Sequence, residues 1–182
     1  MSSDKQEMRW VLRAQCGDQE AFNELFKLIQ QPLYYYILKL AGNAVLAEDI
    51  LQNVFISIYR KLTWLSEPAL FRAWVYRIAS REAFKHLQRE KRWATSVSDE
   101  ELLATIPAPE VVIADTEWLA ALPELVAQIS PASRAVLILH YLQEMSLEEV
   151  AEVLGLALGT VKSRLSYGLA SLRQLVADKS PK

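Results

Sequence analysis

SLEEVAEVLGLALGTVKSRLSYGLASL, residues Ser146–Leu172, holds two short helical patterns joined by a tight glycine turn. Ser146 with Glu149 three residues on makes a capping box, so a helix is expected to begin there and to bury Leu147, Val150, Ala151 and Leu154. Ala151 stands where only a small side chain lets two helices touch, and Gly155 supplies a left-handed C-cap. A second helix carries Val161, Leu165, Leu169 and Leu172 inward at helical spacing, with Val161 pointing back into the hinge. Thr160, Lys162, Ser163, Ser166 and Tyr167 are left to face outward. This is the pattern of a helix-turn-helix, whose second helix fits the major groove of DNA; a three-helix bundle without a ligand is the other reading the spacing permits.

A chain of 182 residues holds one ordinary domain or two small ones, and two small ones suit this sequence better. Hydrophobic residues at 52% with only 5 glycines favour an all-α protein. No apolar run approaches the ~20 residues needed to cross a bilayer, and the N-terminus MSSDKQEMRW is not a signal peptide. The single Cys16 cannot form an internal disulfide and has no Cys or His at metal-ligand spacing, so a reduced, partly buried thiol is expected. These features suit a cytoplasmic chain without membrane insertion, metal or cofactor.

The formal charge of -2 argues weakly against a nucleic-acid partner until its distribution is considered. From Arg60 to Trp93 there are nine basic residues against three acidic; from Ala94 to Glu117 there are six acidic and no basic ones. The acidic stretch also carries Pro107 and Pro109 and lacks sustained periodicity, which reads as a flexible linker. The expected organisation is an N-terminal helical domain over 1–94, a linker over 95–114 and a helix-turn-helix domain over 115–182.

In the N-terminal part, Asp18 caps a helix whose inward residues are Ala21, Phe22, Leu25, Phe26 and Ile29. Pro32 is expected to open the next helix at its first turn, and Gly42 to close it. A third helix, from about Leu46 to Leu62, buries Ile50, Leu51, Val54, Phe55 and Ile58. Glu48, Asp49, Gln52 and Asn53 lie along its polar side near the start, where carboxylates suit the helix dipole; taken alone they read as a solvated face or as a docking surface.

A fourth helix, from about Leu70 to Lys91, places Trp74, Arg77, Arg81, Lys85 and Arg92 on one stripe, with Phe71, Val75 and Ile78 beginning the adjacent apolar side. Cations track phosphates while an aromatic ring stacks an unpaired base, so the stripe suits single-stranded nucleic acid; Trp74 reads equally as a core anchor. The preceding loop, Trp64 to Ala69, has side chains suited to cradling an extruded base.

GDQEAFNELF (Gly17–Phe26), AEDILQNVFISIYRKL (Ala47–Leu62), FRAWVYRIA (Phe71–Ala79) and SLEEVAEVLGLALGTVKSRL (Ser146–Leu165) together resemble the sigma factors of the extracytoplasmic-function group, compact bacterial initiation factors of the sigma-70 family used in stress responses. The four segments stand in the order and at the spacing of that family and cover nearly everything except the termini and the linker.

The resemblance implies that Glu48, Asp49, Gln52 and Asn53 dock on the clamp helices of core RNA polymerase. It implies that Trp64, Ser66, Arg72, Trp74, Arg77, Arg81 and Lys85 melt the minus-ten promoter element and capture a flipped non-template base. Arg134, Thr160, Lys162, Ser163, Arg164, Ser166 and Tyr167 are implied to read the minus-thirty-five element in duplex DNA. The acidic linker would thread the polymerase cleft, an anti-sigma protein would cover these surfaces, and the free chain would be a monomer.

The chain departs from the family at several positions. Arg81 and Lys85 replace a common Asn and Asp, Gln88 a common Arg, and Asn53 a usual Glu. Tyr167 and Gly168 replace a usual Arg-Ala pair, from which a looser recognition helix near Gly168 is expected. An enzymatic role finds no support in the isolated His86 and His140 or in any Gly-rich phosphate loop. The competing role is a stand-alone helix-turn-helix regulator, binding a palindromic operator as a dimer; its ligand or receiver domain would show strand–helix alternation, which the N-terminal half lacks. A helical adaptor, to which the basic stripe is incidental, is a third.

Overall fold

The computed structural model describes residues 3–93 and 117–179, which form helices α1 (Ser3–Gln15), α2 (Gln19–Ala41), α3 (Ala44–Lys61), α4 (Phe71–Trp93), α5 (Glu117–Gln128), α6 (Pro131–Leu137), α7 (Leu147–Leu154) and α8 (Leu158–Lys179). Two compact units result, one built from the N-terminal helices and one from the C-terminal helices. The stretch read as an acidic linker, the domain boundaries at 94 and 115, and the side chain of Arg92 lie outside the described residues.

In the N-terminal unit α1 packs on α2 and α2 on α3. Asp18 caps α2 by accepting from the amides of Glu20 and Ala21. The Ala21 amide, then Arg13, hold the Asp18 carboxyl below its ordinary range. The expected break at Pro32 does not occur, and α2 runs through it to Gly42, which closes the helix at φ 70°. An interior proline costs about 3 kcal/mol. Leu25, Ile29, Leu33, Tyr36, Ile37 and Leu40 form one unbroken buried row across that position, and at about 2 kcal/mol for each buried side chain they outweigh the lost bond. Pro32 itself is exposed.

Asn43 caps α3 through the Leu46 amide, and the inward residues Ile50, Leu51, Val54 and Ile58 are buried as expected. Phe22 and Phe26 are half-buried, pairing edge-on with Tyr59 and stacking on Phe55. Phe71, Val75, Ala79 and Ala83 of α4 complete the core. Inside it the Tyr36 hydroxyl meets Ser80 Oγ at 2.7 Å, and Ser80 donates to the Tyr76 carbonyl at 2.7 Å. Burial pushes the Tyr36 phenol well above its ordinary value and that of Tyr76 up to about 12. Cys16 corrects an expectation: it is exposed, because its amide is spent closing the C-terminal turn of α1 and its side chain falls on the surface of that turn.

In the C-terminal unit α8 packs against α5 and α6. Ser130 caps α6, with Pro131 in its first turn, and α6 runs on into one wide turn over Ile138–Leu142. Gly168 does not loosen α8. It is buried, and a Cβ there would lie 2.8 Å from Leu137 Cδ1 and 3.3 Å from Ser133 Cβ, so its missing side chain is what lets α8 approach α6.

Candidate nucleic-acid interface

The turn before α7 closes as the sequence predicts. The Ser146 amide donates to Glu149 Oε2 at 2.8 Å, and the Glu149 amide donates to Ser146 Oγ at 3.1 Å. Gly155 takes φ 66°, which lets the chain reverse and the Leu156 amide bond the Ala151 carbonyl. Val150, Val153 and Val161 are fully or nearly fully buried. Thr160, Lys162, Ser163, Ser166 and Tyr167 are exposed together along the N-terminal half of α8, while Arg164 is half-buried on its flank. Ser163 Oγ donates back to the Gly159 carbonyl at 3.0 Å, which leaves its lone pairs outward as acceptors.

Arg134 belongs elsewhere. It is only 6% exposed, and its Nη2 donates to the carbonyls of Ala127 and Ile129 at the end of α5. The guanidinium satisfies helix-end carbonyls and is not presented to DNA as expected; burial lowers its pKa from the ordinary arginine value. The sequence pattern gave no sign of this because α5 and its end were not delineated by any cap signal.

On the N-terminal unit, Glu48, Asp49, Gln52 and Asn53 are all exposed on one face of α3. Asn53 Nδ2 donates to the Asp49 carbonyl at 2.9 Å, so its amide nitrogen is engaged along the helix. Arg81 and Lys85 are exposed on α4, with Lys85 3.5 Å from Glu82, and Arg77 is half-buried. Trp74 is also half-buried, its ring tilted against the buried Phe71 at 6.4 Å.

The loop from α3 to α4 is two short 3-10 turns, Leu62–Trp64 and Pro68–Leu70. Leu62 and Leu65 are buried, while Trp64 between them is 75% exposed and Ser66 is exposed. Trp64 is thus a large aromatic left open to solvent between two buried leucines. Two residues that sequence reasoning missed hold this region. Gln15 Nε2 donates to the carbonyls of Leu62 at 2.9 Å and Leu65 at 2.7 Å, and Arg72 Nε donates to Glu7 Oε2 at 2.8 Å. Glu7 is 6% exposed, so Arg72 is pinned to a buried carboxylate although its own side chain is still half exposed. The signal available for Glu7 was a carboxylate one turn before Val11 on the buried face of α1; for Gln15 there was none.

Comparison with known proteins fits this geometry. Residues 25–93 match the family model "Sigma-70 region 2" and residues 119–172 match "Sigma-70, region 4". The ECF RNA polymerase sigma factor SigL of Mycobacterium tuberculosis is 34% identical over 144 residues, spanning 78% of this chain and 80% of that protein. Among solved structures, CnrH in complex with the cytosolic domain of CnrY superposes with a TM-score of 0.70 at 22% identity, covering 96% of this chain and 99% of that one. The sigma factor RpoE of Bartonella quintana in complex with the anti-sigma factor NepR gives 0.67 at 21% identity, covering 87% and 98%.

The chain belongs to the sigma-70 family, in its extracytoplasmic-function group. As such it is not an enzyme: it binds core RNA polymerase and directs transcription initiation. The expectation of a cytoplasmic chain is corrected. The same fold in CnrH is held by the cytosolic domain of a partner, CnrY, which speaks for that protein and does not fix where this chain resides. What holds is that no helix among the described residues is long and apolar enough to cross a membrane.

Proposed function

We propose that initiation is divided among three surfaces of this chain. Residues 1–94 act as the polymerase-docking and minus-ten domain, 95–114 as a linker and 115–182 as the minus-thirty-five domain. Glu48, Asp49, Gln52 and Asn53 dock on core polymerase. Trp64 and Ser66 in the loop, with Arg72, Trp74, Arg77, Arg81 and Lys85 on α4, open the downstream element and hold its non-template strand. Thr160, Lys162, Ser163, Ser166 and Tyr167, flanked by Arg164, read the upstream element as duplex. Arg134 is left out of that set because its guanidinium is buried on backbone carbonyls.

The observation that carries this reading is the chemical separation of the exposed faces: acids on α3, cations and tryptophans at the loop and α4, small polar groups with one lysine on α8. Exposed guanidiniums and aromatic rings suit unpaired bases and their phosphates, whereas small hydroxyls and an ammonium on a helix suit base edges in a groove. The fold likeness to RpoE held by NepR supports an anti-sigma protein as a further partner that covers these faces. Free, the chain is a monomer with weak promoter affinity, since each unit offers few cations.

Run-off transcription with core polymerase on genomic fragments, followed by permanganate footprinting of the bubble, tests the assignment. Specific transcripts with an open bubble are expected. Tight, specific promoter binding by the free chain without polymerase would instead return the stand-alone regulator.

A further inference from the structure

The exposed Trp64 sits on a segment whose backbone is fixed from outside. Leu62 and Leu65 anchor it in the core, and the Leu65 amide closes the turn onto the Leu62 carbonyl at 3.1 Å. Gln15, from the last turn of α1, then grips both end carbonyls with one amide nitrogen. Its nearly fifty-residue separation in sequence from its partners makes this a tertiary clamp. A second tie, Arg72 to Glu7, fixes the start of α4 to the same helix α1. The loop's two ends are thus both fastened to α1, and α1 also packs on both 3-10 turns.

We infer that Gln15 is a positioning residue for base capture, holding the Leu62–Leu65 turn so that Trp64 is presented before the DNA opens. The inference rests on the reading of this loop as the capture surface. A stacking platform gains affinity when its ordering precedes binding, because the loss of freedom is then not charged against the complex. Without Gln15 the two carbonyls turn to water, the turn samples other conformations, and Trp64 must be ordered at each capture event. Gln15 touches no DNA, so its removal acts on capture alone and leaves docking and upstream reading as they are.

The test uses holoenzyme assembled from core polymerase and the full chain. The probe is a fork-junction DNA library with a randomised unpaired non-template strand, beside the same DNA fully duplex. Gln15→Met keeps the length of the side chain and removes both donors; Gln15→Glu keeps the shape and replaces donors by acceptors; Gln15→Lys restores donors. Gln15→Met and Gln15→Glu are expected to lose about tenfold in fork binding, as two hydrogen bonds of ordinary net strength would give. Duplex binding and core association stay unchanged, hydrogen exchange rises over 62–70, and Gln15→Lys recovers part of the loss. Unchanged fork binding with faster exchange over 62–70 overturns the inference. So does global unfolding of both the Met and Glu variants, which would make Gln15 a general structural residue. Trp64→Ala measured in parallel separates the two levels: if it too leaves fork binding unchanged, the reading of the loop itself has failed.

Discussion

The two helices that carry the candidate DNA contacts are built to different designs. On α8 the contact residues are mostly short hydroxyls, with Lys162 and Tyr167 among them, exposed along one stretch of helix that is fixed beneath them by the buried Val161 and by the close approach at Gly168. On α4 and its preceding loop the contact residues are long or aromatic, half-buried to exposed, and several are engaged: Arg72 with Glu7, Lys85 near Glu82, Trp74 against Phe71. A groove reader needs a rigid helix bearing small groups that reach base edges. A strand holder needs reach, charge and flat apolar area. On the proposed assignment each stands in a different unit, which predicts that the two activities are separable by substitution.

The largest effect is expected where the comparison has been redrawn. Arg134→Met should leave the Ala127 and Ile129 carbonyls without their donor and destabilise the C-terminal unit by about 3 kcal/mol, lowering its melting temperature with the N-terminal unit unaffected. A variant of undiminished stability but altered upstream base preference would put Arg134 back on the DNA. Next in size, Trp64→Ala and Arg81→Ala should cost about 1–3 kcal/mol in holding the open strand while sparing duplex binding. Lys162→Ala should show the converse, losing about 1–3 kcal/mol of discrimination at the upstream element with strand opening intact once polymerase is bound. Permanganate reactivity beside a duplex-binding assay reads both; if the two sets of variants fall together in both assays, the separation is wrong.

Smaller effects sharpen the comparison from outside the DNA surfaces. Asp49→Lys combined with Glu48→Lys should weaken association with core polymerase by about tenfold at most, less at high salt, and leave helicity unchanged, because these side chains are exposed. Titration of core polymerase at two salt concentrations checks this, and equal affinities at low salt would remove α3 from the docking surface. The smallest effect at neutral pH concerns the buried phenols. Tyr36 has a folded pKa raised above its unfolded value of about 10, so its contribution to stability is complete below that pH and is lost as pH rises beyond it. The N-terminal unit should therefore weaken in alkali before the C-terminal one, in which Tyr141 and Tyr167 are exposed. In Tyr36→Phe that pH dependence should flatten; an unchanged alkaline profile by circular dichroism would assign it to other groups.

What the sequence by itself determined was local. The capping box at Ser146, the cap at Asp18, the helix-closing Gly42 and Gly155, and most of the buried face of α3 follow from spacing and cap chemistry over a few residues and formed as expected; on α7 only Val150 of the expected face is buried, Leu147, Ala151 and Leu154 are half-buried, and Val153 is buried in their place. The resemblance of four segments carried the family, and the exposed acids of α3 and polar groups of α8 were readable from periodicity alone. Tertiary structure decided the rest, wherever a residue's partner lies far along the chain. Pro32 remains inside α2 because one continuous core row outweighs a local break; Gly168 serves close packing because Leu137 lies opposite; Arg134 is withdrawn from solvent by the end of α5. Gln15 and Glu7 acquire their roles only when α1 meets the loop and α4. The physical reason is common to all of them: cap and turn energies are set by neighbours in sequence, whereas burial and the satisfaction of buried polar groups are set by neighbours in space.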